Sequence, residues 1–163
     1  MGDADIFVAI AAYRDPELRL TIESCIENAD DPSRLTFGVC LQYEVDGPRS
    51  VRADCLDNVD AAIRLLRYPF QRSKGGCWAR HLTQSLYDGE RYTLQIDSHS
   101  RMEPSWDTDL IAMMNAFPGD KPLISSFPML YTRDAGVDAI PDADRTIVPV
   151  TMVETWSPDG WIW

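Results

Sequence analysis

Asp97-Ser98-His99 sets a carboxylate and an imidazole two residues apart, directly after the apolar stretch Tyr92-Thr93-Leu94-Gln95-Ile96. Just past a strand, residues i and i+2 can point the same way, so both side chains can face one ligand. That donor pair suits Mn2+ or a similar divalent cation, and a cation held there can neutralise a diphosphate. The competing reading is an aspartate that caps the turn after a strand, beside a surface histidine; an isolated Asp-x-His does not choose between them. Upstream, Arg72, Lys74 and Arg80 flank Gly75-Gly76 at the start of a helical pattern. A glycine loop that opens a helix lets backbone N–H groups approach an anion closely. An ordinary loop with solvated bases has the same composition. Tyr13-Arg14-Asp15 ends the first apolar run and offers an aromatic and a carboxylate for a planar base and its polar edge; Asp15 equally suits a helix cap. Gln42, ending the second run, is either a ligand contact or a turn residue. His81 has no partner in view and reads as structural or exposed. No nucleophile elbow, Walker A loop or GxGxxG is present.

These residues need elements to hold them. Ile6 to Ala12 is a continuous apolar run, expected of a parallel strand buried on both faces. Leu18, Ile22, Cys25, Ile26 and Ala29 then recur at helical spacing, with Asp15 and Pro16 as the start signal and Asp30-Asp31-Pro32 as the stop. Leu35–Gln42 is a second strand and Gly47-Pro48 a loop. Residues 53–60 suggest a short helix, and Ile63–Tyr68 a third, more exposed strand. Cys77–Tyr87 reads as a helix closed by Asp88-Gly89, and Tyr92–Asp97 as a fourth strand. Trp106–Phe117 reads as a helix with Leu110, Ile111, Met114 and Phe117 on one face. Leu123–Phe127 is expected as a fifth strand, with hints of another at Thr146–Val153. Strands alternating with helices imply an α/β fold with a mostly parallel sheet covered on both faces. In such sheets ligands bind outside the C-terminal strand ends, which puts Tyr13-Arg14-Asp15, Gln42-Tyr43-Glu44 and Asp97-Ser98-His99 on one rim.

The 163 residues are 45% hydrophobic, with a formal net charge of −11 and a pI near 4.4. Such a chain has enough apolar residues for a core and is a poor general nucleic-acid binder. No apolar run approaches the ~20 residues of a membrane helix, and the acidic N-terminus lacks a signal peptide's basic region, so a soluble cytoplasmic protein is expected. The charge is uneven. Residues 1–60 carry −8, residues 61–101 carry +4 and residues 102–163 carry −7. The positive middle could hold an anion, or could be chance clustering on a solvated surface. Cys25, Cys40, Cys55 and Cys77 match no zinc or redox spacing, so free thiols are expected, Cys40 as a small core residue.

Four linked blocks resemble one family. Ile6–Leu18, containing Tyr13-Arg14-Asp15-Pro16, looks like the opening of the GlcNAc-transferases typified by the cytoplasmic enzyme that glycosylates hydroxyproline on a ubiquitin-ligase subunit. Phe37–Gln42 resembles that family's second strand. Gly76-Cys77-Trp78-Ala79-Arg80 with Tyr92–His99 resembles its central block, and Trp106-Asp107 the tryptophan–acid pair that follows. The stretch 75–110 is also similar to mucin-type polypeptide GalNAc-transferases. The resemblance covers roughly residues 6–130 and implies a GT-A fold, Rossmann-like in its nucleotide-binding half. It implies a metal-dependent enzyme, with Mn2+ as cofactor, that moves a sugar from a UDP-sugar such as UDP-GlcNAc to a hydroxyl on a protein or glycan, with retention.

Carried over by position, Asp97 and His99 would ligate the metal and Ser98 would lie beside the donor. Tyr13, Arg14 and Gln42 would line the nucleotide pocket, and Lys74 and Arg80 would approach the diphosphate or brace its loop. No residue is assigned as nucleophile or base. The GalNAc-transferases use a further histidine ligand well downstream, and no histidine follows His99 here. Both families have longer catalytic domains. The expectation is therefore a nucleotide-sugar-binding half over 1–130 and, over 131–163, the start of an acceptor-side region cut short at the C-terminus. A nucleotide-sugar-binding module without turnover is the alternative, and a doubly wound regulatory domain with an incidental Asp-x-His the third reading.

Overall fold

Two apolar runs form the centre of the sheet. β1 (Ile6–Tyr13) and β2 (Leu35–Tyr43) are buried along almost their whole length, as their sequences require. The computed structural model describes residues 5–47, 51–117, 119, 121–126, 132–134 and 137–139, in two compact units that meet in sequence at Met113 and Met114. In the first unit, β1 and β2 are joined by β3 (Ala62–Pro69) and β4 (Tyr92–Asp97) in one all-parallel sheet of order β3-β2-β1-β4. Two helices make crossovers, α1 (Leu18–Glu27) between β1 and β2 and α2 (Gly76–Gln84) between β3 and β4. The helix α3 (Trp106–Ala116) follows β4. This is the expected α/β, Rossmann-like arrangement.

The two faces of the sheet bury different residues because strand side chains alternate. Ile6, Val8, Ile10 and Ala12 of β1 share one core cluster with Leu35, Phe37, Val39 and Leu41 of β2, Leu18, Ile22 and Cys25 of α1, and Trp106. The opposite face buries Phe7 and Ala9, with Ala79 and Thr83 of α2. Gly38 exists for Phe7: a Cβ at residue 38 would lie 2.2 Å from the Phe7 ring. Cys25, Cys40, Cys55 and Cys77 are all free thiols, and burial pushes those of Cys25 and Cys40 up to about 12 and about 11.

Three expectations need correction. Residues 53–58 form turns instead of a helix, closed by i→i+3 bonds from Cys55, Asp57 and Val59 N–H. Asp54 and Asp57 are drawn into ion pairs with Arg52 and Arg67, and short polar side chains of this kind favour turns over a helix interior. Residues 122–126 form no strand, and Phe127 lies outside the described residues; Leu123 is 86% exposed and gains little from burial. Phe117 lies beyond the end of α3 and is half exposed, while Leu110 and Ile111 do pack on the core. The expected strand at Thr146–Val153 lies outside the described residues. In the second unit a short antiparallel pair joins β5 (Thr132–Asp134) to β6 (Val137–Ala139). Among the described residues no helix is long and apolar enough to cross a membrane.

Sheet order fixes where a ligand can enter. The chain winds outward from β1 to β2 to β3, then crosses back to lay β4 on the other side of β1. The winding reverses between β1 and β4, and at such a switch point the C-terminal strand ends diverge into a crevice. Register puts Ala11 beside Asp97 and Tyr13 beside Gln42 at that end.

Candidate functional site

A cleft of about 620 Å³ opens over the C-terminal ends of β1 and β2, next to that switch point, and its lining includes no residue of β4. Ala11, Tyr13 and Gln42 line it from the strand ends; Phe70, Gln71 and Ser73 line it from the segment after β3; Gly75, Gly76 and Ala79 line it from the start of α2. Tyr13 is half exposed and meets Phe70 edge to face, ring centroids 6.4 Å apart. Gln42 is 2% exposed, and its amide nitrogen makes only a long 3.4 Å contact with the Ala12 carbonyl. Its Oε1 is buried with no hydrogen-bond partner among the described residues. An unpaired buried acceptor carries a desolvation cost of about 1–3 kcal/mol, so such a group in a cleft wall invites a donor.

The α2 end of the cleft is built for negative charge. Gly75 adopts φ +94°, a conformation that a glycine accepts without strain, and hands the chain into the helix. No side chain caps this N-terminus and no acid lies in its first turn. The first intrahelical bond is Ala79 N–H to Gly75 C=O, which leaves the preceding N–H groups without helical partners. Of the seven bases in residues 61–101, Arg64, Arg67, Arg80 and Arg101 are committed to ion pairs with Glu90, Asp57, Asp97 and Glu17. Arg72 and Lys74, exposed on the cleft loop, make no ion pair among the described residues. Lys74 stands beside the cleft, not among its lining residues.

Arg14 is placed differently from expectation. It adopts φ +51°, its guanidinium bonds Glu44 at 2.7–2.8 Å and lies 4.6 Å over the Phe70 ring. Its charge is matched by Glu44, so it braces the aromatic wall and does not line the cleft. Asp15 does not cap α1: the helix begins at Leu18 after a turn in which Asp15 Oδ1 accepts the Glu17 N–H at 3.0 Å. Its Oδ2 takes the Ser98 hydroxyl at 2.6 Å and lies 2.8 Å from His99 Nδ1. Burial alone would raise the Asp15 carboxyl, but the hydrogen bonds from Ser98, His99 and the Glu17 N–H outweigh it and hold it below the usual aspartate value. This carboxylate is therefore engaged within the protein and not offered to a nucleobase.

The same contacts fix the loop after β4. Ser98 is 4% exposed; its hydroxyl is spent on Asp15, and its carbonyl accepts from Thr21 Oγ1 at 2.7 Å. Thr21 Oγ1 also accepts the Ser100 N–H at 3.1 Å, and Ser24 Oγ the Met102 N–H at 3.0 Å. Asp97 and His99 stay exposed on either side of buried Ser98, with Asp97 3.2 Å from the Arg80 guanidinium. Carboxylate and imidazole are donor types that Mn2+ takes, although here each already has a partner, Asp97 the Arg80 guanidinium and His99 the Asp15 carboxylate. No group of three or more candidate ligands occurs among the described residues. His81 is exposed on α2, as expected.

Trp106 and Asp107 serve structure. The indole N–H of Trp106 donates to the Cys25 carbonyl at 2.9 Å, and the fully buried Asp107 carboxylate accepts the N–H groups of Asp30 and Asp31 at 2.8 and 3.2 Å. Together they clamp the end of α1. Phe70, Gln71 and Ser73 are the cleft residues that sequence reasoning missed. The rule that ligands sit beyond C-terminal strand ends, applied to β3 as it was to the other strands, points to Phe70.

A family model described as Glycosyltransferase (GlcNAc) matches residues 5–62 and 51–157 of the chain. No curated protein and no solved structure matches it.

Proposed function

The chain belongs to the GlcNAc glycosyltransferase family, and from that premise we propose that the cleft binds a UDP-sugar with a divalent cation, on a GT-A framework, for transfer of GlcNAc to a hydroxyl acceptor with retention of configuration. The observation that carries this reading is the convergence, over the C-terminal ends of β1 and β2, of an aromatic wall, an unsatisfied buried acceptor and an uncapped helix start, with Asp97 of the adjacent β4 in register with Ala11 of the cleft wall. Tyr13 and Phe70 provide faces for a nucleobase, and the Gln42 amide, turned so that its now buried Oε1 meets the cleft, provides an acceptor for a base N–H. The N–H groups that open α2, with Arg72 and Lys74 beside them, suit the diphosphate. Arg80, half exposed on α2 and paired with Asp97, is a further cation near that helix start. Asp97 and His99 are the residues that would hold Mn2+. A cation bound there supplies positive charge to a leaving diphosphate, the term on which such a transfer depends most.

The test is calorimetric titration of UDP with Mn2+ into wild type and Asp97→Ala. UDP binding is expected to need Mn2+, to be abolished by EDTA and to weaken at least tenfold in the variant. Cation-independent binding, or none, overturns the reading. Release of UDP from UDP-GlcNAc, compared with UDP-GalNAc and UDP-glucose, then reports turnover and sugar choice; a preference for either of the latter two overturns the assignment of GlcNAc.

A further inference from the structure

Among the cation-site residues, His99 is the one that needs help. It is well exposed, its side chain 63% accessible, on a loop that leaves the sheet at β4. A free imidazole there would turn about two side-chain bonds and interconvert between two neutral tautomers, only one of which offers a lone pair at a given nitrogen. One oxygen settles both. Asp15 Oδ2 lies 2.8 Å from His99 Nδ1 and accepts the Ser98 hydroxyl at 2.6 Å, while Oδ1 is held by the Glu17 N–H. Asp15 is only 16% exposed and reaches His99 across 84 residues of sequence, from the end of β1 to the end of β4. A carboxylate can only accept, so Nδ1 must carry the hydrogen, and in the neutral ring the lone pair is then on Nε2. The Ser98 bond on the same oxygen keeps the carboxylate from swinging away.

We propose that Asp15 is the positioning residue of the cation site, holding His99 as the Nδ1–H tautomer with Nε2 as its ligating nitrogen. The proposal rests on the reading of Asp97 and His99 as the ligand pair. Carboxylates that fix a ligand histidine in this way are commonly worth 10- to 100-fold in metal affinity.

Two measurements test it. The first uses the metal-free wild type: long-range 1H–15N correlation at pH 8, with the His99 signals identified by their loss in His99→Ala. A protonated Nδ1 and an unprotonated Nε2 are expected; an Nε2–H tautomer overturns the proposal with no variant of Asp15 needed. The second is Mn2+ affinity in the presence of UDP for wild type, Asp15→Asn, His99→Ala and the double variant. Asp15→Asn should lose roughly 10- to 100-fold, and the double variant should lose no more than His99→Ala alone. Additive losses would show that Asp15 acts elsewhere and overturn the proposal. Should His99→Ala bind Mn2+ as tightly as wild type, the ligand pair itself is refuted and the proposal goes with it, whatever the tautomer.

Discussion

Gln42→Met should move stability and ligand affinity in opposite directions. The side chain is 2% exposed, its Oε1 has no partner, and its Nε2 reaches Ala12 O only at 3.4 Å. Methionine has similar length and shape and no polar atom to strand. Removing the unsatisfied acceptor relieves about 1–3 kcal/mol, and the long amide contact given up is worth about 0.5 kcal/mol, at the low end for hydrogen bonds. The net is a gain of about 0.5–2.5 kcal/mol, which for a chain of this size raises Tm by roughly 1–10 °C. With ligand the sign reverses. A nucleobase N–H left facing a thioether loses about 1–3 kcal/mol, a weakening of UDP binding by roughly 5- to 150-fold. Scanning calorimetry of the free protein and titration of UDP with Mn2+ measure the two effects on the same preparation. A fall in Tm would show that Oε1 is satisfied in solution. Unchanged affinity would remove Gln42 from the nucleotide pocket. Either result refutes the reasoning, and they refute different halves of it.

Gly38→Ala should destabilise the sheet by about 1–3 kcal/mol or more through overpacking, because the new methyl meets the fully buried Phe7 ring at 2.2 Å. Urea denaturation measures it, and Phe7→Leu added to Gly38→Ala should recover part of the loss. Asp107→Ala should cost about 1.5–3 kcal/mol by stranding the Asp30 and Asp31 N–H groups, with UDP affinity unchanged; a selective loss of UDP binding would instead place this residue in the site. For Glu90, burial works to raise its carboxyl, but the Asp88 and Glu90 N–H bonds and Arg64 outweigh burial and lower it from 4.5. A lowered folded value means stabilisation that is complete above about pH 4.5 and lost as pH falls through the folded value. The Tm gap between wild type and Glu90→Gln should therefore shrink on going from pH 6 to pH 3; a gap that widens would refute the sign.

Much of the framework could be read in order along the chain. Ile6–Ala12 and Leu35–Leu41 announce themselves because a strand buried on both faces has no polar alternation to obscure it. The helix at 106 is legible from its period, and the loop at Gly75-Gly76 from its glycines. The stretch at Leu123 failed because an apolar run shows only that burial would be favourable, not that a neighbouring strand exists to provide it. The turns at 53–58 failed because their aspartates choose arginines at residues 52 and 67 over a helical backbone. Asp15 was legible as a residue of consequence but not in its role: its partner lies 84 residues away, and only the crossing of β4 to the far side of β1 brings the two together. Arg14 likewise reads as a lining residue of the nucleotide pocket until Glu44 is seen beside it.

The hydrogen bonds that tie Thr21, Ser24 and Asp15 to residues 98–102 have a mechanical meaning as well. They weld the end of β1, the first turns of α1 and the loop after β4 into one stiff jaw. The facing jaw, Phe70 to Ser73, touches that block through the rings and guanidinium of Tyr13, Phe70 and Arg14, contacts that slide more easily than hydrogen bonds shear. Gly75, at φ +94° with no neighbour within 4 Å of where a Cβ would stand, ends that jaw without a side chain to pack it. A change in the width of the cleft is therefore borne more by residues 70–75 than by the first jaw, and the spacing between Tyr13 and the loop after β4 stays set.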